Sequence, residues 1–331
     1  MKIAITGGTG FVGRHLAERL LAERNEVVLV ARHVGREESP PFNKLRAGFL
    51  AQNGSEKWGT RGTAIASDLS DVDTLTAAFN GCDAVAHCAG INREIGMQTY
   101  QRVHVDGTSN AVEAVRRAGV ARIALMSFLR ARPGCGSAYH ESKWAAEEIV
   151  RNSGLEYTIF KAGMVYGRGD HMLDHFSHAF HTLPLLATVG FREKPIRPLD
   201  IEDLLQVMRA ALVDGRLPNK TIAITGAEEL LLSEAARRVA RVVGRRTWIF
   251  PAPVIFHRVL AQVCEWTMKV PLIAKAQVQI LVEGVVEPAS ACDPLPSDLT
   301  PTRRFTAEQI RSGLPEPGPF SLRDLRCCAA R

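Results

Sequence analysis

Ile3-Ala4-Ile5-Thr6-Gly7-Gly8-Thr9-Gly10-Phe11-Val12-Gly13, continuing into Arg14-His15-Leu16-Ala17-Glu18-Arg19-Leu20-Leu21, passes from a short apolar run through a glycine-rich turn into an apolar stripe at helical spacing. The run predicts a strand over 3–6. Leu16, Leu20 and Leu21 predict an amphipathic helix over 13–23. Gly7, Gly10 and Gly13 then sit where a strand turns into a helix, with Phe11 and Val12 in the first helical turn. Such glycines allow a tight turn, a close approach of backbone to a pyrophosphate, and close helix–strand packing. The helix N-terminus offers free N–H groups and the positive end of its dipole to an anion. The expected ligand is a dinucleotide.

Working outward, further short strands are expected at 27–31, 64–66, 84–87, 122–126 and 157–161, with helices at 103–118 and 138–153. Alternating buried strands and helices indicate a parallel sheet covered on both faces, so the expected fold is α/β, a Rossmann-type doubly wound parallel sheet. The long connection 33–62 holds a candidate helix at 42–51. After Gly167 the pattern changes. A weakly helical stretch carries His171, His175, His178 and His181, a strand is expected at 220–225, and a helix follows at 233–243 with Ser233 as N-cap. The apolar segment 251–275 reads as helix broken at Pro271, and 288–320 is proline-rich and extended. The expected division is an NAD(P)-binding domain over 1–168 with a returning segment near 190–215. Residues 169–189 and 216–331 make a smaller C-terminal substrate or partner domain.

Composition narrows the function classes. The 331 residues are 46% hydrophobic and 23% charged, with net charge +6. No apolar run reaches the ~18 residues of a membrane span. The first strand begins at residue 2, with no secretory core before it, so export is not expected and a cytoplasmic location is. Seven cysteines, an odd number without a C-x-x-C pair, read as reduced thiols. The positive balance suits a phosphorylated ligand or an anionic membrane surface. With scattered charges and only 6% aromatic residues, no nucleic-acid partner is expected. No metal is expected either: the four histidines lack a completing ligand set, although Asp170 and Asp174 are near in sequence.

The second strand ends Val30-Ala31-Arg32, without the acidic residue that takes the ribose 2′-hydroxyl of NAD. Arg32 is placed to pair with a 2′-phosphate, which favours NADP, with NAD as the alternative. Asp68 and Leu69 after the third strand, and Ala89 and Gly90 after the fourth, fall at strand carboxyl ends where ligands sit in such sheets. Tyr139 and Lys143 are four residues apart, on one helix face. A neighbouring ammonium stabilises a phenolate, so Tyr139 is the candidate acid/base, with Lys143 tuning it and holding the nicotinamide ribose. Ser127, at the end of the fifth strand, is the candidate assisting hydroxyl.

Thr6-Gly7-x-x-Gly10-x-x-Gly13, Asp68-Leu69, His87-Cys88-Ala89-Gly90, Asp106-Gly107-Thr108, Tyr139-x-x-x-Lys143 and Val165-Tyr166-Gly167 occur in that order over about half of the chain. Together they resemble the extended and atypical short-chain dehydrogenase/reductases, the epimerase/dehydratase-like proteins. Pro198–Asp203, Ile224–Glu229 and Arg237–Gly244 leading to Pro251 resemble the subgroup related to the nucleotide-binding accessory subunit of respiratory complex I. There are departures. Ser127 aligns with the first of a Ser-Ser or Ser-Thr pair, and Phe128 stands where the catalytic hydroxyl usually is. His104 replaces an Asn, and Lys161-Ala162 replaces Arg-Pro.

The resemblance implies an NADPH-dependent oxidoreductase passing hydride to a small carbonyl- or quinone-like substrate, with a link to respiratory metabolism. The alternatives are a non-catalytic NADP(H)-binding accessory or sensor protein, and a nucleotide-sugar epimerase or dehydratase. Residues 254–266 read as a core-packed helix, or as a face towards quinone or a membrane. The implied partners are a small-molecule substrate and a peripheral contact with the inner face of a membrane or with a respiratory complex.

Overall fold

The structure is a computed structural model that describes residues 1–32, 61–183, 185–268 and 273–319. Its central sheet has seven strands: β1 Lys2–Thr6, β2 Glu26–Ala31, β3 Gly62–Ala66, β4 Ala84–His87, β5 Arg122–Phe128, β6 Glu156–Ala162 and β7 Lys220–Ile224. They lie in the order β7-β6-β5-β4-β1-β2-β3. The pairs β3–β2, β2–β1, β1–β4 and β4–β5 all run parallel. The chain order reverses between β1 and β4, which puts the crevice of the expected doubly wound sheet beside the glycine turn. Ile3, Ala4 and Ile5 are fully buried, as a strand covered on both faces requires.

Helix α1, Phe11–Ala22, buries Leu16, Ala17, Leu20 and Leu21. The sequence reading missed α2, Val72–Phe79, although Asp71 caps it by accepting from the Thr74 amide and Leu75, Ala78 and Phe79 form its buried stripe. A π-helical turn, Gln101–Asp106, leads into α3, Gly107–Arg117. Helix α4 is Ala138–Arg151.

Contacts divide the chain into two compact units. The first is Met1–Lys161 with Leu205–Ile222 and Ser290–Pro294. The second is Ala162–Leu204 with Ala223–Ala289 and Leu295–Arg331. Helix α5, His171–Thr182, carries the four histidines, and α6 is Ile201–Leu212. Among the described residues no group of three or more His, Cys, Asp or Glu side chains is placed to hold a metal ion.

In the second unit α7, Leu232–Val243, begins one residue before the sequence suggested. Ser233 is not its N-cap. The Ser233 amide instead donates to the Glu193 carboxylate at 2.9 Å, so a group 40 residues away satisfies an open N–H of the first turn. Of the apolar segment 251–275 read as helix, Val254–Thr267 is helix α8, while its first two residues, Pro251 and Ala252, end a strand, Trp248–Ala252. Strand Trp248–Ala252 finds a partner in Leu185–Val189, and this pairing holds Pro251 and Ala252 out of the helix. Helices α9, Lys275–Glu283, and α10, Ala307–Gly313, follow; α10 interrupts the segment expected to be extended. The candidate helix at 42–51 and the break at Pro271 lie outside the described residues.

Candidate functional site

Gly7 has φ +66°, and a Cβ there would meet the Ala89 backbone at 2.7 Å, so the turn after β1 packs directly on the turn after β4. At Gly13 a Cβ would collide with the Gly7 carbonyl oxygen, which fixes how closely α1 approaches the turn. Gly10 caps α1 without a side-chain hydrogen bond, and the first turn of α1 carries no acidic residue. Among the described residues no side chain caps this turn, so its open amides are of the kind that bind a diphosphate.

The cleft at this turn is lined by Gly7, Gly10, Arg32, Asp68, Leu69, Ala89 and Gly90 of the expected set. Phe11, Val12 and Gly13 lie behind it in the first turn of α1. Arg102 is a second guanidinium on the lining; it stands 3.9 Å from Asp68 and was not anticipated.

Two buried histidines tie together the elements around the cleft. His87, at the end of β4, meets Thr6 Oγ1 at 2.7 Å through Nδ1 and Thr108 Oγ1 at 3.2 Å through Nε2. Thr108 donates its own proton to the His104 carbonyl, so His87 Nε2 is the donor and Nδ1 the acceptor. His104 Nε2 accepts from the Ile91 amide at 3.1 Å, leaving Nδ1 to donate to Ser142 Oγ at 2.9 Å, and Ser142 donates to the Tyr139 carbonyl. Burial, with the Lys143 charge adding, holds both rings neutral: His87 is lowered to about 3 and His104 to about 2. The ring at 104 therefore ties the loop after β4 to the start of α4.

On α4, Tyr139 and Lys143 are both buried, as is Glu147 one turn further along the same face. Lys143 Nζ donates to the Met126 carbonyl at 3.2 Å and lies 3.0 Å from where a Gly90 Cβ would stand. Burial lowers Lys143 to about 8. The Tyr139 ring is enclosed by Tyr100, Phe128, His104 and His140, with centroids 5.4–5.8 Å away. Burial pushes the Tyr139 phenol up, with Tyr100 adding, which reverses the lowering expected from its ammonium neighbour.

Ser127 is drawn elsewhere. Its hydroxyl donates to Glu147 Oε1. Glu147 is fully buried and receives Lys161 Nζ at 2.8 and 2.9 Å and an Arg151 nitrogen at 2.7 Å. Phe128, not Ser127, meets the Tyr139 ring.

The sequence profile of an NAD(P)H-binding family matches residues 7–171, from the glycine turn to the start of α5. Those residues form an NAD(P)H-binding domain.

An uncharacterized protein of Mycobacterium tuberculosis is 26% identical over 255 residues, 77% of this chain; the chain spans about a quarter (25%) of that relative's length. A ceramide reductase of Caulobacter vibrioides is 32% identical over 168 residues, 51% of this chain and 47% of the relative. Mouse NADH dehydrogenase [ubiquinone] 1 alpha subcomplex subunit 9 is 25% identical over 256 residues, 76% of this chain and 64% of the relative. Among solved structures, UDP-glucuronic acid 4-epimerase from Bacillus cereus in complex with NAD superposes with a TM-score of 0.67 at 18% identity, over 95% of this chain and 97% of that one. The fold of the NAD(P)H-binding domain is thus that of epimerase-like short-chain dehydrogenases, as the ordered motifs indicated.

Sequence reading of the domain missed Glu147 and Arg102. Glu147 extends the 139, 143 series by one more helical turn and could have been found on that ground. Arg102 enters the cleft through the π-helical turn, which has no periodicity signal of its own.

Proposed function

We propose that the chain is an NADPH-dependent reductase acting on a small carbonyl- or quinone-like substrate, with Tyr139 as proton donor and Lys143 as the cation that supports it. The observation carrying this reading is the buried Tyr139–Lys143 face of α4, with Lys143 packed against Gly90 at the cofactor cleft. A phenol held protonated by burial suits the reductive direction. Bound NADPH would supply the hydride. As a substrate carbonyl becomes an alkoxide, Tyr139 gives its proton to that oxygen, and the Lys143 ammonium stabilises the phenolate left behind. A solvent proton then restores the phenol, so one carbonyl, one NADPH and one proton yield an alcohol and NADP⁺. That one relative is a ceramide reductase supports this direction.

Arg32 and Arg102, both on the cleft lining, support a 2′-phosphorylated cofactor. Ser127 joins the catalytic set only on leaving Glu147; with that bond made, Tyr139 and Lys143 carry the proton transfer. The complex I relative supports a peripheral contact with a membrane or with a respiratory complex.

A second reading is a non-catalytic NADP(H)-binding accessory or sensor. It is favoured by the engaged Ser127 hydroxyl and by Phe128 against Tyr139. Identification of the nucleotide that copurifies, with turnover of aldehydes, quinones and nucleotide sugars, separates the readings. Tyr139→Phe should lose ~10²-fold or more in turnover while keeping NADPH affinity. Equal rates would remove Tyr139 from the chemistry, and tight NADPH with no turnover of any substrate decides for the binding protein. Turnover of nucleotide sugars alone decides for an epimerase or dehydratase.

A further inference from the structure

The second compact unit turns an unusual amount of apolar surface outward. Of the fourteen large hydrophobic side chains exposed among the described residues, ten belong to just two segments, 183–191 and 248–266. Helix α8 is inverted relative to an ordinary surface helix. Its buried residues are His257, Ala261 and Cys264. Its exposed ones are Ile255, Phe256, Val259, Val263 and Trp266, with Ile255 at 66% and Trp266 at 68% exposure. At ~100° per residue these five fall within about a quarter of the helical circumference, opposite the buried three.

The strand pair beneath continues this surface. Leu186 and Ile249, paired in register, pack on the core around Phe176 and Val239. The other face of the ribbon carries Val189, buried against Ala261 of α8, and at its far end Leu185, Trp248 and Phe250. His257 Nε2, 3.2 Å from the Ala187 carbonyl, fixes α8 on that face. The helix thus covers one end of the ribbon and leaves Leu185 with Trp248, 77% exposed, uncovered at the other.

Basic side chains border the apolar residues: Arg192, Lys194, Arg245, Arg246 and Arg258 are all exposed. We propose that α8 and the adjoining end of the Leu185–Val189/Trp248–Ala252 ribbon are a docking face for an anionic lipid bilayer, on which α8 lies in the plane of the interface. Three features select this occupant. The apolar residues form one stripe along a helix with a polar margin, as in interfacial helices. Two exposed tryptophans belong to it, Trp248 at the start of its strand and Trp266 near the end of α8, and tryptophan is the residue that settles at the headgroup level. The border is basic, matching the negative surface of a cytoplasmic leaflet. Among the described residues no helix is long and apolar enough to cross the membrane, so this contact is one of lying on the bilayer. The inference deepens the peripheral-contact part of the proposed function, rests on that part, and does not depend on the hydride chemistry.

The test is flotation of the full chain with vesicles of phosphatidylcholine, with and without a phosphatidylglycerol fraction. Binding of NADPH and particle mass by light scattering are followed in parallel. The wild type should float with the anionic vesicles, and its tryptophan emission should shift to the blue. Ile255→Glu with Val259→Glu, both at exposed sites, should lower partitioning roughly tenfold or more with NADPH affinity unchanged. Arg245→Ala with Arg246→Ala should lower binding to anionic vesicles about tenfold, as should added salt. A wild type that stays in solution with anionic vesicles overturns the proposal, as does a glutamate variant that floats as well as the wild type. A wild-type dimer that the glutamates convert to monomer, without any vesicle binding, assigns the face to a second copy and also overturns it. Loss of NADPH binding by the wild type would sink the reductase reading and leave the vesicle result standing.

Discussion

Replacing Lys161 by Met and Glu147 by Leu, singly and together, probes the ionic centre behind Ser127. Both side chains have no solvent exposure, and Lys161 Nζ bridges both Glu147 oxygens while also donating to the Ala131 carbonyl at 3.0 Å. Its ammonium lies 5.3 Å from the Trp144 ring centroid. Burial nonetheless pushes the Lys161 value down, against the pull of Glu147, so desolvation is the dominant influence on this lysine. Lys161→Met strands a carboxylate with only Ser127 and Arg151. Glu147→Leu strands an ammonium with one carbonyl and a ring. Breaking a buried pair from either side costs about 3–5 kcal/mol. In a unit of this size that lowers Tm by roughly 6 °C or more.

The double variant removes both charges. It leaves the Ser127 hydroxyl without its acceptor, at about 1–3 kcal/mol, while Arg151, at the rim with 21% exposure, turns to water. The double variant should therefore be more stable than either single one, with a coupling energy of roughly 3 kcal/mol or more. Urea and thermal unfolding followed by circular dichroism, with matched m-values, measure this. Singles whose costs simply add in the double variant would refute the reasoning.

Four further outcomes are expected. Arg32→Ala should weaken NADPH by about tenfold or more and NADH far less, measured by titration of nucleotide fluorescence; an equal loss of both would remove Arg32 from the phosphate. Because Lys143 is lowered to about 8, turnover that needs its ammonium should fall as pH rises through about 8, read as a limb in kcat/KM. With its folded value below the unfolded ~10.5, the same lysine makes stability rise between about pH 8 and ~10.5, and Lys143→Met should abolish that rise. His87 and His104, at about 3 and about 2 against ~6.5 unfolded, contribute stability that is complete above ~6.5 and declines as pH falls from there towards 3. His104→Asn should flatten the fall of Tm between pH 7 and 4, and an unchanged slope would show that this ring is not the sensitive group.

The sequence by itself determined what depends on near neighbours. The glycine turn, the strand before it and the helix after it are local choices of backbone conformation and apolar period, so their place was legible, as was the shared helix face of Tyr139 and Lys143. Only the tertiary structure decided what depends on distant partners. Ser127 gives its hydroxyl to a glutamate twenty residues on, α7 takes its first-turn acceptor from Glu193, and Trp248–Ala252 became a strand because Leu185–Val189 lay beside it. The phenol of Tyr139 rises because burial excludes water from it, with Tyr100, His104 and Phe128 brought in from outside α4. Hydrogen bonds and desolvation are settled by whatever the folded chain brings within a few ångströms, and a periodicity along the chain does not encode those neighbours.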